Sequence, residues 1–139
     1  MIVHQLSNAD KIKIKNKLKS LFLKYEEVVF VYIHGSIISA NWFRDIDIGI
    51  FVDERRVSRE EVLDYEIALS IELEKELHLP IEVKVLNYAP LSFKYEVTKG
   101  EVILSRDEET RYAFLEETWH SYLDYAPIEI EFIKALLQR

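Results

Sequence analysis

Apolar residues recur along the first third of the chain with two different spacings. Up to about residue 25 they return every three or four positions, as on one face of a helix, and Ser7 precedes this stretch as a candidate N-cap. The apolar positions of this predicted helix are Ile14, Leu18, Leu21, Phe22 and Tyr25. Residues 28–33 are then a nearly unbroken run of β-branched and aromatic side chains, which predicts a strand buried on both faces.

Residues 44–53 alternate strictly between two kinds of side chain, which predicts a half-buried strand. One face carries only aliphatic residues, namely Ile46, Ile48, Ile50 and Val52. The opposite face carries Asp45, Asp47, Gly49 and Phe51. Residues 37–43, which lie between the two predicted strands, are interpreted as a short connecting segment.

A further helix and strand follow. Ser58 with Glu61 three residues later forms a capping box, which predicts a helix that runs towards Leu77. Pro80 prevents this helix from continuing. Residues 81–85 alternate between aliphatic and charged side chains, so they predict a third strand.

Prolines and a glycine divide the rest of the chain. Pro90 can start a short helix that Gly100 ends, and residues 102–104 predict a further short strand. From about residue 107 the pattern predicts two helices broken at Pro127. This order of elements indicates an α/β (α+β) fold with a small mixed β-sheet flanked by helices and with helices at its C-terminal end.

Length and composition favour one folded unit. The chain has 139 residues, of which 49% are hydrophobic and 31% charged, as in a folded globular domain. We therefore expect a single domain over residues 1–139. Its core should lie at about 28–105 and a helical extension at about 107–139.

Charge and cysteine content exclude several classes of protein. The formal net charge of −7 argues against a general nucleic-acid binder. The chain has no cysteine, so disulfides and thiolate metal sites are excluded. No apolar run approaches the ~20 residues that cross a membrane, and the first residues do not resemble a signal peptide. We expect a cytoplasmic protein without membrane association.

The chemistry of the chain is indicated by Asp45 and Asp47. On a strand these residues project from the same face about 6.6 Å apart at the backbone, so both carboxylates can reach one metal cluster. Mg²⁺ prefers such oxygen ligands. The alternative is that both residues simply form the solvated face of the strand. Gly35 and Ser36 stand at the end of the preceding strand, where they can approach a phosphate or form an ordinary turn.

This combination resembles a known family. His34-Gly35-Ser36, followed after residues 37–44 by Asp45-Ile46-Asp47-Ile48, is similar to the G-S…D-x-D signature of the DNA polymerase beta nucleotidyltransferase superfamily, in particular its minimal nucleotidyltransferase branch. Residues 80–87 resemble the family's third-carboxylate strand and the Leu-Asn after it. Residues 89–91, 99–104 and 122–124 resemble its usual tail, so the likeness extends from residue 28 to about 125.

The resemblance implies a nucleotidyltransferase fold and a set of residue roles. Asp45, Asp47 and Glu82 would bind metal, two Mg²⁺ ions being expected, and Glu82 would also activate the attacking hydroxyl. Gly35 and Ser36 would grip the triphosphate of ATP, the expected substrate. Two further residues, Arg44 and Lys84, are candidates to supply positive charge beside the nucleotide.

The resemblance also implies a biological role. Minimal nucleotidyltransferases commonly act as antitoxins that add AMP to a tyrosine of a HEPN-domain ribonuclease toxin, so a hetero-oligomer with such a toxin is expected. The chain departs from the family pattern at Arg44, where Ser is usual, and at Glu82, where Asp is usual. The segment 37–43 also lacks the usual Arg-Gly. The alternative is therefore a nucleotidyltransferase-fold protein, weak or inactive as an enzyme, that neutralises its partner by binding alone.

Overall fold

The computed structural model describes residues 4–40 and 42–137. Four of the strands form one mixed sheet, and helices pack on both of its faces. The strands are β1 (His4–Gln5), β2 (Val28–His34), β3 (Trp42–Phe43), β4 (Ile46–Val52), β5 (Ile81–Val85) and β6 (Glu101–Ser105). The helices are α1 (Asn8–Phe22), α2 (Ser36–Ser39), α3 (Val62–Leu77), α4 (Leu91–Thr98) and α5 (Glu108–Leu137). The predicted α/β class with a small mixed sheet is confirmed.

The order of the strands in the sheet is β5-β4-β2-β6. β2 runs antiparallel to both β4 and β6, whereas β4 and β5 are parallel. The end of β2 and the starts of β4 and β5 therefore lie at the same edge of the sheet. At this edge His34 pairs with Asp47, and Asp47 pairs with Glu82.

The two faces of the sheet are covered differently. The aliphatic face of β4, as predicted, is fully buried in the main core under α1 and α3. The opposite face carries a smaller cluster under α4 and α5, formed by Phe30, Tyr32, Leu86, Val97 and Phe114. A Cβ at Gly49 would lie only 2.8 Å from Cγ1 of Val97, so α4 rests directly on β4 two residues beyond Asp47. The end of this face that carries Asp47 and Glu82 stays partly exposed.

Local signals set the helix ends. Ser7 and Asp10 form a capping box at the start of α1, which ends at Phe22, three residues before the predicted end. The Arg106 guanidinium donates to the carbonyl groups of Phe22 (3.0 Å), Leu23 (2.9 Å) and Val28 (2.6 Å), and it thereby satisfies the end of α1.

The predicted capping box of Ser58 and Glu61 is present. It opens a 3₁₀ turn, Arg59–Glu61, that leads into α3. α3 stops where His78 adopts a left-handed conformation with φ of 58°.

Side chains of α3 cover the outer edge of β5. Three of them, spaced four residues apart, each accept a hydrogen bond from a backbone N–H of β5. The pairs are Glu74 with Ile81 (3.0 Å), Ser70 with Val83 (3.1 Å) and Glu66 with Val85 (2.7 Å). Because these N–H groups would otherwise be unpaired at a sheet edge, the helix closes this edge to further strands.

Three details differ from the sequence-based expectations. The predicted break at Pro127 is wrong, since the single helix α5 spans Glu108–Leu137. A proline removes one helical hydrogen bond but keeps a helical φ, so a long helix can pass through it. The segment 37–43, of which residue 41 lies outside the described residues, contains most of α2 and also β3, which pairs with β1. β4 begins at Ile46, so Arg44 and Asp45 precede the strand.

Candidate active site

Three carboxylates meet at the edge where β4 and β5 begin. Asp47 and Glu82 are paired neighbours on parallel strands, so their side chains leave the same face of the sheet. Asp45 stands two residues before Asp47, just outside β4, and lies close enough for its charge to act on the Asp47 carboxyl. Asp47 is half-buried, whereas Asp45 and Glu82 are exposed.

The carboxylates act on one another electrostatically. Burial, followed by the negative charges of Glu82 and Asp45, raises the pKa of Asp47 to about 6. The structure thus concentrates negative charge at one point of a protein that is already acidic. A bound cation would relieve this repulsion.

The Gly35 turn packs directly against Asp47. Gly35 has φ of 83°, in the left-handed region that disfavours side chains, and a Cβ there would lie 2.4 Å from Oδ2 of Asp47. Its carbonyl oxygen accepts hydrogen bonds from the backbone N–H groups of Ile38 (3.0 Å) and Ser39 (3.1 Å). These bonds form the first turn of α2, which begins at Ser36. Because Gly35 has no side chain, its backbone can lie directly against the Asp47 carboxylate. A side chain at this position would overlap with that carboxylate.

The two candidate cations are placed differently. The Lys84 ammonium lies 3.7 Å from Oε1 of Glu82, on the same face of β5. Arg44 is exposed just before Asp45, and within the described part of the chain its guanidinium forms no ion pair. Lys84 therefore lies beside one of the three carboxylates, whereas Arg44 is exposed and lies next to them only in sequence.

The donor set suits a hard divalent cation, although the side chains are not converged on one point. Among residues 4–40 and 42–137, no three acidic or histidine side chains are arranged to hold a metal ion. Like charges repel, and Glu82 turns to its salt bridge with Lys84. Since Asp45 and Glu82 are exposed, both can reorient, and carboxylate oxygens are the ligands that Mg²⁺ prefers. The residues present thus fit this ion chemically.

No pattern in the sequence indicates that His34 and Phe93 pack together. Burial lowers the pKa of His34 to about 4, so its imidazole is neutral at neutral pH. Its Nε2 is buried without a hydrogen-bond partner among the described residues. The edge of the His34 ring meets Phe93 of α4, with 5.6 Å between ring centroids. Phe93 reaches the site only because α4 folds back over β4, which no local pattern encodes.

The chain belongs to the polymerase beta nucleotidyltransferase family, because the model of that family matches residues 16–109. All seven predicted site residues fall inside this range, whereas most of α5 lies beyond it. The resemblance to this superfamily is confirmed. No curated protein sequence matches the chain significantly.

Solved structures with a similar fold come from toxin–antitoxin complexes. One is the complex of tri-AMPylated Shewanella oneidensis HEPN toxin with MNT antitoxin (TM-score 0.70, 16% identity, 91% of this chain and 98% of that chain covered). A second is the toxin–antitoxin MntA-HepT (TM-score 0.69, 16% identity, 91% and 98% covered). A third is a toxin–antitoxin with AMP-PNP (TM-score 0.72, 17% identity, 88% and 98% covered). At these identities the likeness concerns the fold.

None of the described helices combines the length and the apolar character that a membrane span requires.

Proposed function

We propose that this protein is a Mg²⁺-dependent nucleotidyltransferase that transfers AMP from ATP to a tyrosine hydroxyl of a HEPN-type ribonuclease toxin and thereby acts as an antitoxin. The observation that carries the proposal is the proximity of Asp45, Asp47 and Glu82 to one another and of the Gly35 turn to Asp47, at the end of the sheet where β4 and β5 begin. Family membership supports the class of reaction. The toxin partner is supported by the complexes in which similar folds occur.

Phosphoryl transfer requires a protein mainly to position the reactants and to neutralise the charge of the phosphates. The site residues would have separate roles in these two tasks. Asp45, Asp47 and Glu82 would hold two Mg²⁺ ions, which supply positive charge against the triphosphate when bound. Gly35 lets backbone approach the phosphates closely, and Ser36 can donate its hydroxyl to a phosphate oxygen. Arg44 and Lys84 would add positive charge.

The transfer forms one bond and breaks one. The acceptor oxygen bonds to the α-phosphorus of ATP, and the bond between that phosphorus and the oxygen bridging to the β-phosphate breaks, so pyrophosphate leaves. Glu82 accepts the proton that the acceptor hydroxyl loses. The products are an AMP ester of the acceptor and pyrophosphate.

The proposal includes a cellular setting. We place the protein in the cytoplasm, in a hetero-oligomer with its toxin. The net charge of −7 supports a partner protein over nucleic acid as the binding target.

A second candidate function is neutralisation of the toxin by binding alone. The salt bridge between Lys84 and Glu82 favours it, because it occupies the carboxylate that would take the acceptor proton. Arg44 in place of the usual serine also favours it.

Labelling of the partner distinguishes the two functions. The protein is co-expressed with a HEPN-type toxin, and the purified complex is incubated with α-labelled ATP and Mg²⁺. Asp45→Asn combined with Asp47→Asn should abolish labelling of the toxin while the complex still forms. Asp53→Asn combined with Asp64→Asn, which removes the same charge elsewhere, should leave labelling intact. Cells still protected by the first double variant would instead support binding alone.

A further inference from the structure

We infer that a pocket on the Glu82 side of the site receives the aromatic side chain that carries the acceptor hydroxyl. This inference rests on the proposed function and names where its second substrate binds. It starts from the order of the functional groups across the sheet.

Asp47 and Glu82 stand on the adjacent strands β4 and β5, and Gly35 directly follows β2, which pairs with β4 on its other side. Because β2 and β5 flank β4, Gly35 and Glu82 lie on opposite sides of Asp47. In an in-line displacement the attacking and leaving oxygens occupy opposite sides of the phosphorus. If the Gly35 turn holds the leaving phosphates, the acceptor must approach from the Glu82 side.

A pocket of about 350 Å³ lies beside β5 and begins at Lys84, two residues along the strand from Glu82; it is bounded by the start of α3, the end of β5 and the loop that leads into α4. Two of its lining residues connect it to the carboxylates. Lys84 lines the pocket and lies 3.7 Å from Glu82. Phe93 lines the pocket and also contacts the ring of His34, the strand partner of Asp47.

The lining suits an aromatic ring that bears a hydroxyl. Val85, Pro90, Phe93 and Tyr88 offer mainly apolar walls. The Tyr88 ring is itself held by the Arg59 guanidinium, 5.5 Å from the ring centroid.

The volume is that of a site for one small group, which a serine or threonine side chain would leave largely empty. Lys84 stands on the side towards Glu82, where its ammonium can stabilise a phenol oxygen as its proton leaves. A tyrosine side chain meets both conditions.

Adenine is the alternative occupant, since it too is flat and apolar on its faces. Its polar edge would need donors and acceptors in the pocket. The charged side chains there are Glu66, which already accepts a hydrogen bond from the Val85 amide at 2.7 Å, and Lys84, which is paired with Glu82; Tyr88 adds a single hydroxyl. The pocket therefore favours the acceptor over the base.

Steady-state kinetics with a pocket-filling variant test the inference. Ala89 lines the pocket, and Ala89→Phe should raise the KM for the toxin, or for a tyrosine peptide from it, at least 10-fold, with the KM for ATP changed less than twofold. Ala68→Phe, on the exposed side of α3, is the matched control and should change neither constant. Phe93→Leu, which enlarges the pocket, should also act on the acceptor and provides a second variant if Ala89→Phe does not fold.

The same assay with a peptide in which serine replaces the tyrosine completes the test. Wild-type protein should modify the tyrosine peptide at least 10-fold faster, and Ala89→Phe should remove most of that preference. A rise in the KM for ATP would assign the pocket to adenine and overturn the inference while the proposed function stands. Unchanged constants in both variants would overturn it as well. If wild-type protein transfers no AMP at all, the proposed function fails first, and the acceptor pocket fails with it.

Discussion

Replacing Asp47 by asparagine should make the protein more stable while it removes the proposed activity. In the folded protein the pKa of Asp47 rises from 3.8 to about 6, mainly through burial and further through Glu82 and Asp45. At about 1.36 kcal/mol per pKa unit, ionising this carboxylate costs the fold about 3 kcal/mol at neutral pH. Because the side chain is half-buried, solvent screening reduces this cost to about 1 to 1.5 kcal/mol.

The gain in folding stability from Asp47→Asn should depend on pH. The folded protein keeps a proton on Asp47 at a higher pH than the unfolded chain does, so this group lowers wild-type stability as pH rises from 3.8 to about 6. Asparagine does not ionise. The advantage of Asp47→Asn should therefore be absent below pH 3.8, grow up to about pH 6 and remain constant above it.

Urea and thermal unfolding of the metal-free proteins at pH 4 and pH 8 measure this difference. At pH 8 the variant should gain about 1 to 1.5 kcal/mol, or about 3 to 6 °C in Tm. Asp53→Asn should show the opposite sign, because hydrogen bonds from Arg55 lower the pKa of Asp53. Mg²⁺ should stabilise wild-type protein more than Asp47→Asn. An Asp47→Asn variant no more stable than wild type at pH 8, or one whose advantage persists at pH 4, would refute this reasoning.

Three further substitutions test the structural contacts that support the site, and urea denaturation measures the stability change of each. Gly35→Ala should cost about 1 to 3 kcal/mol, because φ is positive and the new Cβ would collide with Asp47; an unchanged midpoint would contradict the described turn. Ser70→Ala should cost about 1 kcal/mol and increase self-association, since it frees the Val83 amide at the sheet edge; light scattering checks the second effect. Arg106→Met should cost about 2 kcal/mol because it removes three hydrogen bonds to backbone carbonyl groups, and a loss below 0.5 kcal/mol would count against that role.

The sequence was most informative where one face of an element is buried. The alternation through β4 was predictable because its aliphatic residues are all fully buried, so burial imposed a period of two on the sequence. The N-cap at Ser7 and the capping box at Ser58 were predictable because side chain and backbone lie within three residues of each other. The two-residue strands β1 and β3 are too short to leave a period, and a proline is compatible with more than one backbone path, as α5 shows.

The candidate site could be predicted only in part from local pattern. Spacing alone predicted that Asp45 and Asp47 lie close together, although Asp45 precedes β4 in the structure. Glu82 lies 35 residues beyond Asp47, and its place beside that residue depends on strand order, which spacing cannot supply. It was found through the resemblance to the family. The catalytic and metal-binding roles of these residues remain predictions for the experiments above.

The contacts between α3 and β5 have a consequence for catalysis. Four helical residues advance about 6.0 Å and two strand residues about 6.6 Å, so the two repeats stay in step over three hydrogen bonds. A shift of β5 by one residue would turn Glu82 to the opposite side of the sheet and withdraw all three amides from the helix at once. A helix that supplies no carboxylate to the site thus holds the proposed general base on its correct side, and single-residue insertions in the 78–80 turn should be harmful to catalysis even where the fold survives.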